Sequence, residues 1–93
     1  MSIKELKPIN LVFYSKWDSY EKWRNVLLKQ NIKLFMWPKD FNLNTLYPNI
    51  NGALVWDPPE DMWQSFPNLK IIQSLGAGVD HILKKPFPKG VHI

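Results

Sequence analysis

Ninety-three residues with 45% apolar content and no cysteine bound this chain to one small globular domain, without disulfides, thiolate chemistry or cysteine-based metal sites. The net charge of +4 comes from lysines scattered along the chain, of which only Lys84 and Lys85 adjoin, so it reads as a solvated surface rather than a nucleic-acid stripe. No apolar run approaches the roughly 18 residues a membrane span needs, and the leader Met1–Pro8 has no apolar signal core. A cytoplasmic protein with no membrane or nucleic-acid partner is expected.

The leader is polar and expected to be loosely held. Ile9 to Tyr14 is β-branched and aromatic, and reads as a first strand. Asp18 or Ser19 can cap a helix that carries Glu21 near its positive end. Tyr20, Trp23, Val26, Leu27 and Gln30 fall on one face of that helix, which is expected to bury against a sheet. Asn31 suits a left-handed stop. Lys33 to Trp37 reads as a second strand, ended by Pro38. Lys39 to Asn51 is a polar loop, with one helical turn expected around Asn44 to Tyr47.

Gly52 to Trp56 reads as a third strand, stopped at Asp57-Pro58-Pro59 because proline lacks an N–H and restricts the residue before it. A short helix over Glu60 to Ser65 ends before Pro67. Lys70 to Leu75 is an apolar run that suits a fourth strand buried on both faces. Gly76-Ala77-Gly78 breaks it. Val79, Ile82 and Leu83 then recur at helical spacing, with Asp80 in the first turn and an end near Lys84. Val91 to Ile93 begins a fifth strand.

This alternation predicts an α/β chain with a flavodoxin-like, doubly wound parallel sheet, probable order 2-1-3-4-5, incomplete at the C-terminus. Ligands of such sheets bind outside the carboxyl ends of the strands. Trp56-Asp57 and the glycine turn should therefore share one rim. Backbone N–H groups of a glycine turn before a helix form an anion site, suited to a carboxylate or phosphate. The plain alternative is a turn that needs its glycines only to reverse direction.

Asp57 occupies the strand end where a receiver domain carries its phospho-acceptor. The end of the first strand reads Tyr14-Ser15-Lys16, with no acid pair for a metal, so Asp57 is read as a turn former. His81 and His92 lack the constellation of nucleophile, base and orienting group that catalysis needs, and are read as structural or surface residues.

The run LKIIQSLGAGVDHIL (Leu69–Leu83) resembles the segment of D-2-hydroxyacid dehydrogenases in which a strand ends at a Gly-x-Gly loop over the substrate. GALVWDPPEDMW (Gly52–Trp63) and LVFYSKWDSYEKWRNVL (Leu11–Leu27) resemble the glyoxylate/hydroxypyruvate reductase A branch. The resemblance covers nearly the whole chain, whereas the family's enzymes are roughly three times longer. It implies that residues 1–93 are the N-terminal part of the substrate (catalytic) domain, with the dinucleotide-binding domain absent.

By that resemblance Gly76, Ala77, Gly78 and Val79 match the loop that holds the substrate carboxylate. Trp56 matches the pocket-lining strand end, with core packing an equal alternative. The complete enzyme would be a homodimer reducing a small 2-keto acid with NADPH or NADH. This chain has no Gly-x-Gly-x-x-Gly, and its only arginine, Arg24, matches no catalytic position. No catalytic, cofactor-binding or metal-binding residue is therefore assigned to it, and alone it is expected to be inactive. The competing class is a stand-alone, non-catalytic flavodoxin-like binding module.

Overall fold

The computed structural model describes residues 8–76, 78, 80–84, 86, 88 and 90–93. Most of the leader lies outside the described residues, as do Ala77 and Val79 of the glycine turn and the side chain of Asp80.

Four strands, β1 (Ile9–Tyr14), β2 (Ile32–Met36), β3 (Gly52–Val55) and β4 (Ile71–Ser74), form one parallel sheet in the order β2-β1-β3-β4. The expected fifth strand is a single parallel bridge, in which Ile72 N–H donates to His92 O at 2.8 Å and His92 N–H donates to Lys70 O at 3.0 Å. It lies beside β4, so the described residues follow the expected order. Gly52 shows why the centre of the sheet takes a glycine. It sits between Leu11 and Ile71 in register, and a Cβ there would meet Leu11 Cδ2 at 2.7 Å and Ile71 Cγ2 at 3.0 Å.

Helices cover both faces, unequally. One face packs Val12, Val55 and Ile72 against Met62 and Trp63 of the 3₁₀ helix Glu60–Ser65, with Phe66, Trp37 and Ile82 of the short helix α2 (Asp80–Leu83). Phe41 joins from the loop, its ring centroid 5.1 Å from Phe66 and 4.8 Å from Tyr47. The other face carries Phe13, Leu34 and Leu54 beneath Tyr20 and Leu27 of helix α1 (Tyr20–Leu28).

Helix α1 starts where the Ser19 side chain accepts the Lys22 N–H at 3.3 Å, and the chain leaves it through Asn31 at φ 60°. Its expected apolar face is only partly buried. Tyr20 and Leu27, two turns apart, form the contact line. Trp23 is 36% exposed, Val26 58% exposed, and Gln30 is exposed. Helical spacing places Arg24 and Leu28 on the flank nearest β2, and puts Trp23 and Val26 on the opposite flank, beyond the contact line.

Strand β4 also departs from expectation. Ile72 and Ser74 are buried but Ile71 and Gln73 are exposed, because α1 packs over β1 and β2 and does not reach β4. The expected helical turn at Asn44 to Tyr47 is absent. A turn at Leu43-Asn44, with Asn44 at φ 68°, replaces it, and Tyr47 is anchored through its N–H to Ser65 O at 2.7 Å.

The outer edge, β2, is capped by side chains. The Tyr20 hydroxyl donates to Leu34 O at 2.7 Å, and the Asp40 carboxylate accepts the Met36 N–H at 2.8 Å. Such caps blunt an edge that would otherwise pair with other chains. Burial raises the Tyr20 hydroxyl pKa, the Asp40 charge adds to the rise, and Arg24 opposes it.

Candidate functional site at the strand-end rim

Three strand ends meet at one level. Trp56 N–H donates to Tyr14 O at 2.8 Å and Leu75 N–H to Val55 O at 2.9 Å, which carries the ladder one residue past β3 and β4. Trp56 and the glycine turn therefore share a rim.

The glycine turn is held by Ser74 and His81. Ser74 is buried, and its Oγ accepts the Gly76 N–H at 3.2 Å and donates to Gly78 O at 2.7 Å. His81 Nε2 lies 2.9 Å from the same oxygen, and His81 Nδ1 accepts the Asp57 N–H at 2.8 Å. Since Nδ1 accepts, the neutral ring carries its proton on Nε2 and donates it to Ser74. The imidazole thus straps the end of β3 to the turn after β4. Asp57 is in the left-handed conformation, φ 47°, which presents its N–H to the ring.

A serine within reach of a histidine invites comparison with a nucleophile and its base. The geometry opposes that role. Ser74 is buried with its hydroxyl proton engaged by Gly78 O, and His81 already carries a proton on the nitrogen that faces it. His81 receives a backbone N–H where a catalytic histidine would donate to an orienting carboxylate. The pair is a structural strut.

Trp56 is half-buried between two of these groups. Its ring centroid lies 4.0 Å from that of His81, and a Cβ at Gly76 would overlap its Cζ3. Gly76 is needed for space: neither it nor Gly78 has the positive φ that reserves a position for glycine. A Cβ at Gly78 would meet nothing within 4 Å. The Gly76 N–H points inward to Ser74 and is not presented to the cleft. Ala77 and Val79 are outside the described residues.

In front of the turn lies an open cleft of about 290 Å³, bounded by Trp17, Asp18, Trp56, Leu75 and Gly76. Sequence reasoning placed Trp56 and the glycine turn on one rim, and Trp56 and Gly76 do line one cleft. It gave His81 a structural or surface role, which the strut to Asp57 and Ser74 bears out, and it did not single out Trp17 or Ser74, because no spacing rule links the turn after β1 to the turn after β4. No group of three or more metal-ligating side chains occurs among the described residues, and no described helix is long and apolar enough to cross a membrane.

No family model matches the chain. Over 83 residues it is 31% identical to glyoxylate/hydroxypyruvate reductase A from Photorhabdus laumondii, covering 87% of this chain and 25% of that protein. The crystal structure of a D-isomer-specific 2-hydroxyacid dehydrogenase from Xanthobacter autotrophicus, in complex with NADPH and MES, superposes with a TM-score of 0.70 at 32% identity.

The chain is similar to a segment of D-2-hydroxyacid dehydrogenases. The Xanthobacter match covers 84% of this chain and 26% of the dehydrogenase. A probable 2-hydroxyacid dehydrogenase from Rhizobium etli, in complex with NADP, HEPES and L(+)-tartaric acid, has a TM-score of 0.65 at 27% identity, over 92% of this chain and 27% of that one. The chain thus spans about a quarter of the length of these relatives, and its α/β parallel sheet matches part of the fold of those dehydrogenases.

Proposed function

We propose that these 93 residues form the N-terminal part of the substrate domain of an NAD(P)H-dependent 2-keto acid reductase of the glyoxylate/hydroxypyruvate type. The observation that carries this reading is the juxtaposition of Gly76 and Trp56 on one strand-end rim, in a chain 87% of which aligns with a reductase of that name. In this reading the N–H groups of residues 77–79 hold the substrate carboxylate. Gly76 supplies space for Trp56, and the indole forms one wall of the site. The Ser74–His81 strut fixes the turn in advance, which limits the ordering cost on binding.

The turn after β1, Ser15 to Ser19, does not fit the nicotinamide cofactor. It has no glycine and carries the Asp18 carboxylate where a pyrophosphate would need N–H donors. Cofactor binding and proton exchange are assigned to the rest of the complete enzyme, which we take to be a cytoplasmic homodimer. The isolated 93 residues should give no reduction of glyoxylate or hydroxypyruvate with either cofactor above the buffer blank.

The test is Gly78→Val in the complete enzyme. Because a Cβ there meets only open space, the turn should persist, and any loss reports on the ligand. Losing one or two charge-assisted hydrogen bonds should lower kcat/KM by about tenfold to several thousandfold. NADPH affinity should change little. Unchanged kcat/KM on a folded preparation removes the turn from the substrate site.

A further inference from the structure

Trp17 is the most exposed large apolar side chain among the described residues, 83% accessible. It stands on the candidate rim. The turn that presents it is closed by hydrogen bonds: Ser15 Oγ accepts the N–H groups of Trp17 and Asp18, each at 3.1 Å, and donates to Asp18 Oδ2 at 2.7 Å. Ser19 then caps α1. The backbone of Trp17 is therefore held on both sides while its indole projects into solvent. Across the cleft, Trp56 is wedged between Gly76 and His81. One indole is packed and the other is exposed, and both line the same cleft with Gly76.

An indole exposed on a rigid turn gains most when a ligand covers it, and it keeps an N–H to offer a polar group. The cleft, about 290 Å³ and open to solvent, suits a molecule of a few carbons rather than a nucleotide. A small 2-keto acid bound in this cleft would lie against Trp56 and Gly76, and a longer substituent would extend across it to Trp17. We propose that Trp17 is a specificity-determining residue that packs on this distal substituent of a small 2-keto acid. This rests on the reading of the rim as the keto-acid site.

The consequence is graded. Glyoxylate has no substituent and should ignore Trp17. Keto acids with longer or aromatic side chains should depend on it increasingly.

The test compares complete wild-type enzyme with Trp17→Ala and Trp17→Phe on glyoxylate, 2-ketobutyrate and phenylpyruvate. With Trp17→Ala, kcat/KM for glyoxylate should stay within about twofold, and that for phenylpyruvate should change by about ten- to a hundredfold, mostly through KM. Trp17→Phe should restore most of the difference. An equal change on all three substrates, or none on any while the wild type is active, overturns the assignment of Trp17 and leaves the keto-acid reading standing. Wild type that reduces no keto acid overturns both. Because Trp17 is so exposed, the variants should unfold at the wild-type temperature, and a lowered Tm with unaltered substrate ratios counts against the proposal.

Discussion

The two faces of the sheet use the same apolar vocabulary and bury it very differently. On one, Met62, Phe66, Ile72 and Ile82 are each within 2% of full burial, closed over by the 3₁₀ helix and an aromatic cluster from the loop. On the other, α1 seals Phe13 and Leu34 but leaves Trp23 and Val26 in contact with water. The difference teaches that periodicity marks which residues share a face. Burial is decided by what lies across from them. The well-sealed face also includes Val55 and Ile82, next to Trp56 and His81, so the rim is mounted on the more deeply buried side of the sheet.

The largest effect should come from the sealed face. Phe66→Ala removes a ring packed against Trp37 and Phe41, and should cost about 3–5 kcal/mol. Leu27→Ala, on the half-covered face, should cost under about 2 kcal/mol. Equal urea midpoints for the two variants would break the contrast between the faces.

The rim gives a second contrast, between its glycines. Gly76→Ala drives a Cβ into the Trp56 ring, which His81 backs, and should cost about 1–3 kcal/mol. Gly78→Ala should stay within about 0.5 kcal/mol. Thermal denaturation of the pair checks this, and a reversed order would mean that the turn is packed on its other side.

Tyr20 sharpens the comparison at the β2 edge. Tyr20→Phe loses the bond to Leu34 O and should cost about 0.5–1.5 kcal/mol near neutral pH. Burial raises the hydroxyl pKa in the folded state. A raised folded pKa contributes stability that is fully present below the unfolded value, about 10, and is lost as pH rises through the folded value. The gap between wild type and Tyr20→Phe should therefore narrow in that alkaline window. A gap that stays constant through it would show that the hydroxyl is not buried in the folded protein.

Much of this architecture was legible in the sequence. Strand order followed from the alternation of apolar runs and breakers, and the left-handed stop at Asn31 and the Ser19 cap from residue chemistry. The rim at Trp56 and Gly76 followed from the rule that ligands sit at carboxyl strand ends. What was not legible depends on contacts between segments distant in the chain. His81 reaches the Asp57 N–H across 24 positions, and nothing in either local pattern announces it. Gly76 looked like a conformational glycine and proved to be a spatial one, because the ring that fills its Cβ space belongs to another strand. No sequence pattern singles out Trp17, and only the fold shows that it stands exposed on the rim.

The smallest expected effect is the most diagnostic for α1. Val26 belongs to the apolar stripe by spacing, yet 58% of it is exposed. Valine in a helix also loses side-chain freedom that alanine does not, by up to about 0.7 kcal/mol. Val26→Ala should therefore be neutral or slightly stabilising, within about 0.5 kcal/mol in either direction. Trp23→Ala should cost more than this and less than Phe66→Ala, since Trp23 is 36% exposed. A loss above about 1 kcal/mol for Val26→Ala would mean that this flank is covered in solution. Repeating the denaturation at several protein concentrations separates the causes. A midpoint that rises with concentration would assign the cover to a second copy of the chain, whereas a constant midpoint would place it within the monomer.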